Sequence, residues 1–172
     1  MGKDVTLKIG AWHGWMENFF IAEVSASAAL TGLIFVGVSI NLTKIVASPA
    51  LPGRAFEALM LLLTVLITSS LLLVPNQSVR LVGIEILAVA AIVWGANTIT
   101  QVNIWRQMEA QYHRRFLQQI TLNQVATLLL VVSGVLVLVL GPGGLYWLVP
   151  GFILCILAAF LDAWVLLIEI NR

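Results

Sequence analysis

Residues 19–42 read F-F-I-A-E-V-S-A-S-A-A-L-T-G-L-I-F-V-G-V-S-I-N-L, 24 residues with a single charged side chain, Glu23. As a helix this stretch would run about 36 Å, enough to cross a hydrocarbon core of about 30 Å. Four more stretches repeat the pattern: Phe56–Val74, Leu81–Val102, Ile120–Leu140 and Leu145–Ile168. Their spacing predicts an all-α fold, an integral membrane helical bundle with five transmembrane helices. The chain is 60% hydrophobic and 10% charged. A soluble domain would carry about a quarter charged residues. The 18 residues before the first span are the longest piece outside the five, too short for a separate domain. Residues 1–172 therefore read as a single membrane domain.

In residues 11–20, A-W-H-G-W-M-E-N-F-F, the residues Trp12, Trp15, Met16, Phe19 and Phe20 recur at helical spacing. This predicts an N-terminal interfacial amphipathic segment that bends into the first span at Gly10 and Gly14. Residues 1–18 contain no uninterrupted apolar core, so the first span itself is expected to direct insertion. Six of the nine Lys and Arg residues (Lys44, Arg54, Arg106, Arg114, Arg115 and Arg172) fall on one side of a five-span topology. Lys3, Lys8 and Arg80 fall on the other. That bias predicts a cytoplasmic C-terminus and an N-terminus outside the membrane. Trp12, Trp15, Tyr146 and Trp147 would mark the outer interface, and Trp105 and Trp164 the inner one.

The first span carries two stripes. Ser25, Gly32 and Ser39 are spaced by seven, with Ala22 and Ala29 beside them. Small residues let helix backbones approach closely in lipid, where there is no hydrophobic drive between helices. Glu23, Ser27 and Thr31 form the second stripe. Ser25, Gly32, Ser39 and Glu23 are thus the candidate pore or close-packing face. Deeper polar groups cluster toward the inner side. Asn41 ends the first span, Asn97 and Gln101 share a face of the third, Asn123 opens the fourth and Asp162 lies in the fifth. Counted from the inner helix ends they fall at similar depth, a candidate inner polar cluster that either bonds helices together or holds a cation or proton. Arg54 and Glu57, three apart at the start of the second span, read as an ordinary interfacial pair. Pro150 predicts that the fifth helix either kinks or starts there.

Enzyme chemistry is hard to build from this chain. It has no HExxH motif, no Cys–His metal set and no phosphate-binding glycine loop. His13 and His113 lie outside the spans on opposite sides, so they cannot pair on a haem. Cys155 is the sole cysteine, which rules out an intrachain disulfide. The net charge of +1, without a long basic tract, gives no footprint for nucleic acid. The expectation is a non-enzymatic protein without a cofactor, whose partners are the lipid bilayer, further copies of itself as a homo-oligomer, and possible membrane proteins. The alternative is a homo-oligomeric ion channel or ion-translocating protein lined by the first span.

Residues 25–42, S-A-S-A-A-L-T-G-L-I-F-V-G-V-S-I-N-L, together with the Trp-rich entry from Trp12 to Phe20, resemble the first span of a group of small bacterial inner-membrane proteins. Some of that group carry the label of modulators of a membrane-bound AAA protease. The resemblance implies a bacterial cytoplasmic membrane and makes such a protease a candidate partner. It implies no catalytic or ligand-binding residue.

Overall fold

The structure, a computed structural model, describes residues 2–47, 51–107 and 113–170, with side chains described for 14–47, 51–106 and 117–166. Every element among them is helical: α1 (Gly2–Ile40), α2 (Leu42–Ala47), α3 (Leu51–Leu72), α4 (Val79–Gln107), α5 (His113–Leu140), a 3-10 segment (Gly141–Trp147) and α6 (Leu148–Ile170). Four helical stretches are long and apolar enough to cross a membrane: Gly14–Ile40, Leu51–Leu72, Val79–Arg106 and the 50-residue run Leu117–Leu166. The last run holds α5, the 3-10 segment and α6. The chain reverses inside it, since Asn123 meets Asp162 and Ser133 bonds Gly144.

Helices α3, α4, α5 and α6 form a ring in which each touches the next and α6 returns to α3. Helix α1 lies outside this ring, mainly against α3. Half of α3's most apolar window is buried against 11% of α1's, so α3 is the hub and α1 the periphery. Phe19 and Phe20 hold α1 near the α5–α6 turn by ring contacts to Phe152 of α6, at 6.3 and 6.5 Å between centroids. Farther along, α1 and α6 part. They leave an apolar slot of about 220 Å³ lined by Leu30, Ile34, Gly37, Ile156 and Phe160.

The helix boundaries follow from local chemistry. Helix α3 starts five residues before the hydropathy pattern, because Pro52 and Gly53 sit in its first turn, where backbone N–H groups have no intrahelical partner. Gly141, at φ +73°, ends α5 in the left-handed region that suits glycine, and Asn76, at φ 62°, turns α3 into α4. Helix α1 is continuous through Gly10 and Gly14 rather than broken there. A glycine costs a helix only about 1 kcal/mol, too little to force a bend. The side chains of Trp12, His13, Lys3 and Lys8, and those of Arg114, Arg115 and Arg172, lie outside the described residues.

Helix α6 begins at Leu148, so Pro150 occupies its first turn and does not kink it. A proline is tolerated in the first turn of a helix. Pro150→Ala is therefore expected to change stability by no more than about 0.5 kcal/mol, as measured by unfolding in mixed detergent micelles. A loss several times larger would place the proline in a structural kink.

The ring is close-packed where α4 meets α5. A Cβ on Gly83 would lie 2.7 Å from Leu138, and one on Gly134 would lie 2.7 Å from Leu87. These reciprocal contacts also establish that the two helices run antiparallel. The C-terminal ends of α1 and α4 and the N-terminal ends of α3 and α5 fall at one end of the bundle, together with Lys44, Arg54 and Arg106. We call this the basic end. The turn at residues 73–78 and the 3-10 segment form the hairpin end.

Candidate functional site: a polar core fed by four helices

Each helix of the ring sends a polar side chain to one buried locus. Glu57 comes from α3, Gln101 from α4, Asn123 from α5 and Asp162 from α6. Their exposures are 2, 3, 1 and 0%, so bulk water does not solvate them. By helix rise they sit about 10–15 Å in from the basic end.

Asn123 is the bridge. Its Nδ2 donates to Glu57 Oε2 at 2.9 Å and to Asp162 Oδ2 at 3.4 Å. The two carboxylate oxygens therefore lie within about 6 Å of each other across the ring. Gln101 borders the Glu57 carboxyl. Gln124 of α5 donates to Gln101 Oε1 at 2.9 Å and to Thr98 Oγ1 at 3.2 Å, and its own Oε1 accepts from Trp94 Nε1 at 2.6 Å. A hydrogen-bonded chain thus runs from the half-exposed Trp94 ring on α4 to the core. Arg54 stands one turn before Glu57 on α3, is itself buried, and acts electrostatically on both carboxyls.

Several oxygens of this core have no protein donor within hydrogen-bond distance: Glu57 Oε1, Asp162 Oδ1 and Asn123 Oδ1. Asn97, one turn from Gln101 on the same face of α4, is 2% exposed, and neither its Oδ1 nor its Nδ2 finds a protein partner. Buried polar groups are nearly always hydrogen-bonded, so this concentration is unusual for a purely structural network. Among the described residues no group of three or more His, Cys, Asp or Glu is arranged to hold a metal ion.

Of the inner residues singled out from sequence, Gln101, Asn123 and Asp162 meet, and Asn97 is buried beside them. Asn41 does not join them, because its Nδ2 bonds the Gly37 carbonyl of its own helix at 3.0 Å. Arg54 and Glu57 are not the interfacial pair expected. Helix α3 is covered by α1, α4 and α6, so polar side chains along it are carried into the interior. The second and fourth apolar stretches supply Glu57 and Asn123. An earlier start for α3 at Pro52 would have placed Glu57 more than a turn inside the helix and exposed the omission.

The stripes on α1 also have definite positions. Glu23, Ser27 and Thr31 face the bundle, with Ser27 fully buried and Glu23 half-buried. Ala22, Ser25, Ala29, Gly32 and Ser39 face outward. The Ser25 and Ser39 hydroxyls donate to the Ile21 and Phe35 carbonyls of their own helix at 2.9 and 2.8 Å. At the hairpin end Glu85 is met by the Gln77 amide at 3.1 Å.

Comparison of the chain with family models, with curated proteins and with solved structures finds no match.

Proposed function

We propose that this chain is a non-enzymatic, five-span protein of the bacterial cytoplasmic membrane that acts by lateral assembly, with α1 docking against a second copy of the chain. The observation that carries this reading is the position of α1. It holds to the ring through one face, and its opposite face presents Ala22, Ser25, Ala29, Gly32 and Ser39 with nothing within 4 Å of a Cβ built on Gly32. Because the two serines already donate within their own helix, the face can enter a dry interface without leaving a hydroxyl unpaired. Its small side chains permit close backbone approach. The accumulation of Lys44, Arg54 and Arg106 at one end supports a cytoplasmic basic end, with the hairpin end outside. The similarity of residues 25–42 to small inner-membrane proteins makes a membrane-bound AAA protease the heterologous partner to test.

Single cysteines at positions 25, 32 and 39, in a Cys155→Ala background, test the assembly face in lipid. Oxidation is expected to cross-link copies at these positions and not at position 27. Aqueous thiol reagents are expected to leave all three unlabelled. A chain that stays uncross-linked at all three would refute assembly through α1. A second reading rests on the same geometry: several α1 helices around an axis would line a pore with Ser25 and Ser39. That reading requires aqueous labelling at the three positions and ion flux in liposomes.

A further inference from the structure

We propose that the four-helix polar core binds one exchangeable monovalent cation, a proton or a sodium ion, between Glu57 of α3 and Asp162 of α6. The inference does not depend on how α1 assembles.

The first ground is charge. The core holds two carboxyls and one guanidinium, Arg54. No other Lys, Arg or His is buried among the described residues. With both carboxyls ionised, this dry locus carries one uncompensated negative charge. Burying an ion without a partner costs several kcal/mol or more, so buried charges are paired or neutralised. One added positive charge balances the core; a divalent ion would overshoot it.

The second ground is chemistry. Among the core groups without a hydrogen-bond partner are oxygens from three different helices, Glu57 Oε1 on α3, Asn123 Oδ1 on α5 and Asp162 Oδ1 on α6, beside one amide nitrogen, Gln101 Nε2 on α4. Oxygen donors suit a hard cation. Either carboxyl oxygen can equally hold a proton. The Asn123 amide fixes both carboxyls in place by donating to their other oxygens, which leaves Oε1 and Oδ1 for the cation.

The third ground is independent of the carboxyls. Asn97 is buried one turn from Gln101 with neither amide atom partnered. An amide in that state is matched to a solvated ion, to which it can offer an acceptor and, through a bridging water, a donor.

Of the charged groups on neighbouring elements, Lys44 on α2 and Arg106 at the end of α4 are exposed rather than buried in the core, and Glu23 on α1 lies toward the hairpin end.

The test uses the full chain in lipid nanodiscs. In the first arm, sodium replaces choline at constant ionic strength and alkaline pH, and the unfolding temperature is followed. A ligand that binds only the folded state raises that temperature with concentration. A rise that saturates with sodium, and that Glu57→Gln and Asp162→Asn each abolish, identifies sodium as the occupant. In the second arm, infrared spectra in choline alone seek the carbonyl stretch of a protonated carboxylic acid. A band that shifts in D2O and disappears in either variant identifies a proton. If neither the sodium dependence nor a band sensitive to these variants is found, the proposal fails. If the single variants do not fold, the wild-type arms still decide. Sodium dependence absent together with no protonated-acid band overturns the site.

Discussion

Gly144→Ala is expected to destabilise the protein by about 3 kcal/mol, the upper end of the range for overpacking. The 3-10 segment lies directly on α5. A Cβ on Gly144 would meet the backbone N of Val137, and the carbonyl carbon of Leu136 at 2.5 Å. Where a new methyl meets a flexible side chain, a rotamer change relieves it. Here it meets main chain in the middle of a helix, so the whole segment must lift. Lifting it also breaks the buried bond from Ser133 Oγ to the Gly144 carbonyl, 3.0 Å long, worth about 1 kcal/mol. Gly143 is the control, since nothing lies within 4 Å of a Cβ there. Unfolding in mixed detergent micelles should separate Gly143→Ala, close to wild type, from Gly144→Ala. Equal stability of the two variants would show that the 3-10 segment does not rest on α5.

Asn123→Leu is expected to cost about 3–5 kcal/mol, the magnitude associated with removing one partner from a buried charged arrangement. Leucine is close in size, so the main change is loss of the amide. That amide donates to both Glu57 and Asp162. Without it the facing oxygens of two carboxyls are left across the ring with no donor between them. Adding Glu57→Gln supplies a new amide on α3 and removes one charge. The double variant should therefore recover part of the loss, and a double-mutant cycle would report a coupling well above the few tenths of a kcal/mol seen for independent sites. Strict additivity would mean that Asn123 does not bridge the carboxyls.

Much of this architecture was legible because long apolar helices advertise themselves by length. The apolar stretches fall mainly on α1, α3, α4, α5 and the 3-10–α6 region, the first running two residues past α1 and the second two residues past α3, and Gly141 and Pro142 mark the reversal between the last two. Counting from the helix ends placed Asn97, Gln101, Asn123 and Asp162 near one level, and all four are buried. Asn41 shared that depth but not the direction, because depth says nothing about which way a side chain faces. Glu57 was missed for a specific reason. Hydropathy begins at Phe56, whereas the helix begins at Leu51, carried by a proline and a glycine that a hydropathy count treats as loop. The face of α1 was illegible for another reason. Its span is apolar nearly all round, so periodicity could not choose between its small-residue stripe and its Glu23–Ser27–Thr31 stripe. Contact with α3 decided it.

That uniform surface has a consequence for how the protein is made. On the five-span reading proposed above, α1 enters the bilayer before α3, the helix that holds it, has been synthesised. A helix with a strongly polar flank would have to wait in an insertion machine for its partner. The α1 span has its serine and threonine hydroxyls bonded to its own carbonyls, which leaves Glu23 as its one charged side chain to be settled on docking. Insertion and docking then become separate stages. The time between them is the interval in which a newborn α1 is free to meet another membrane helix first.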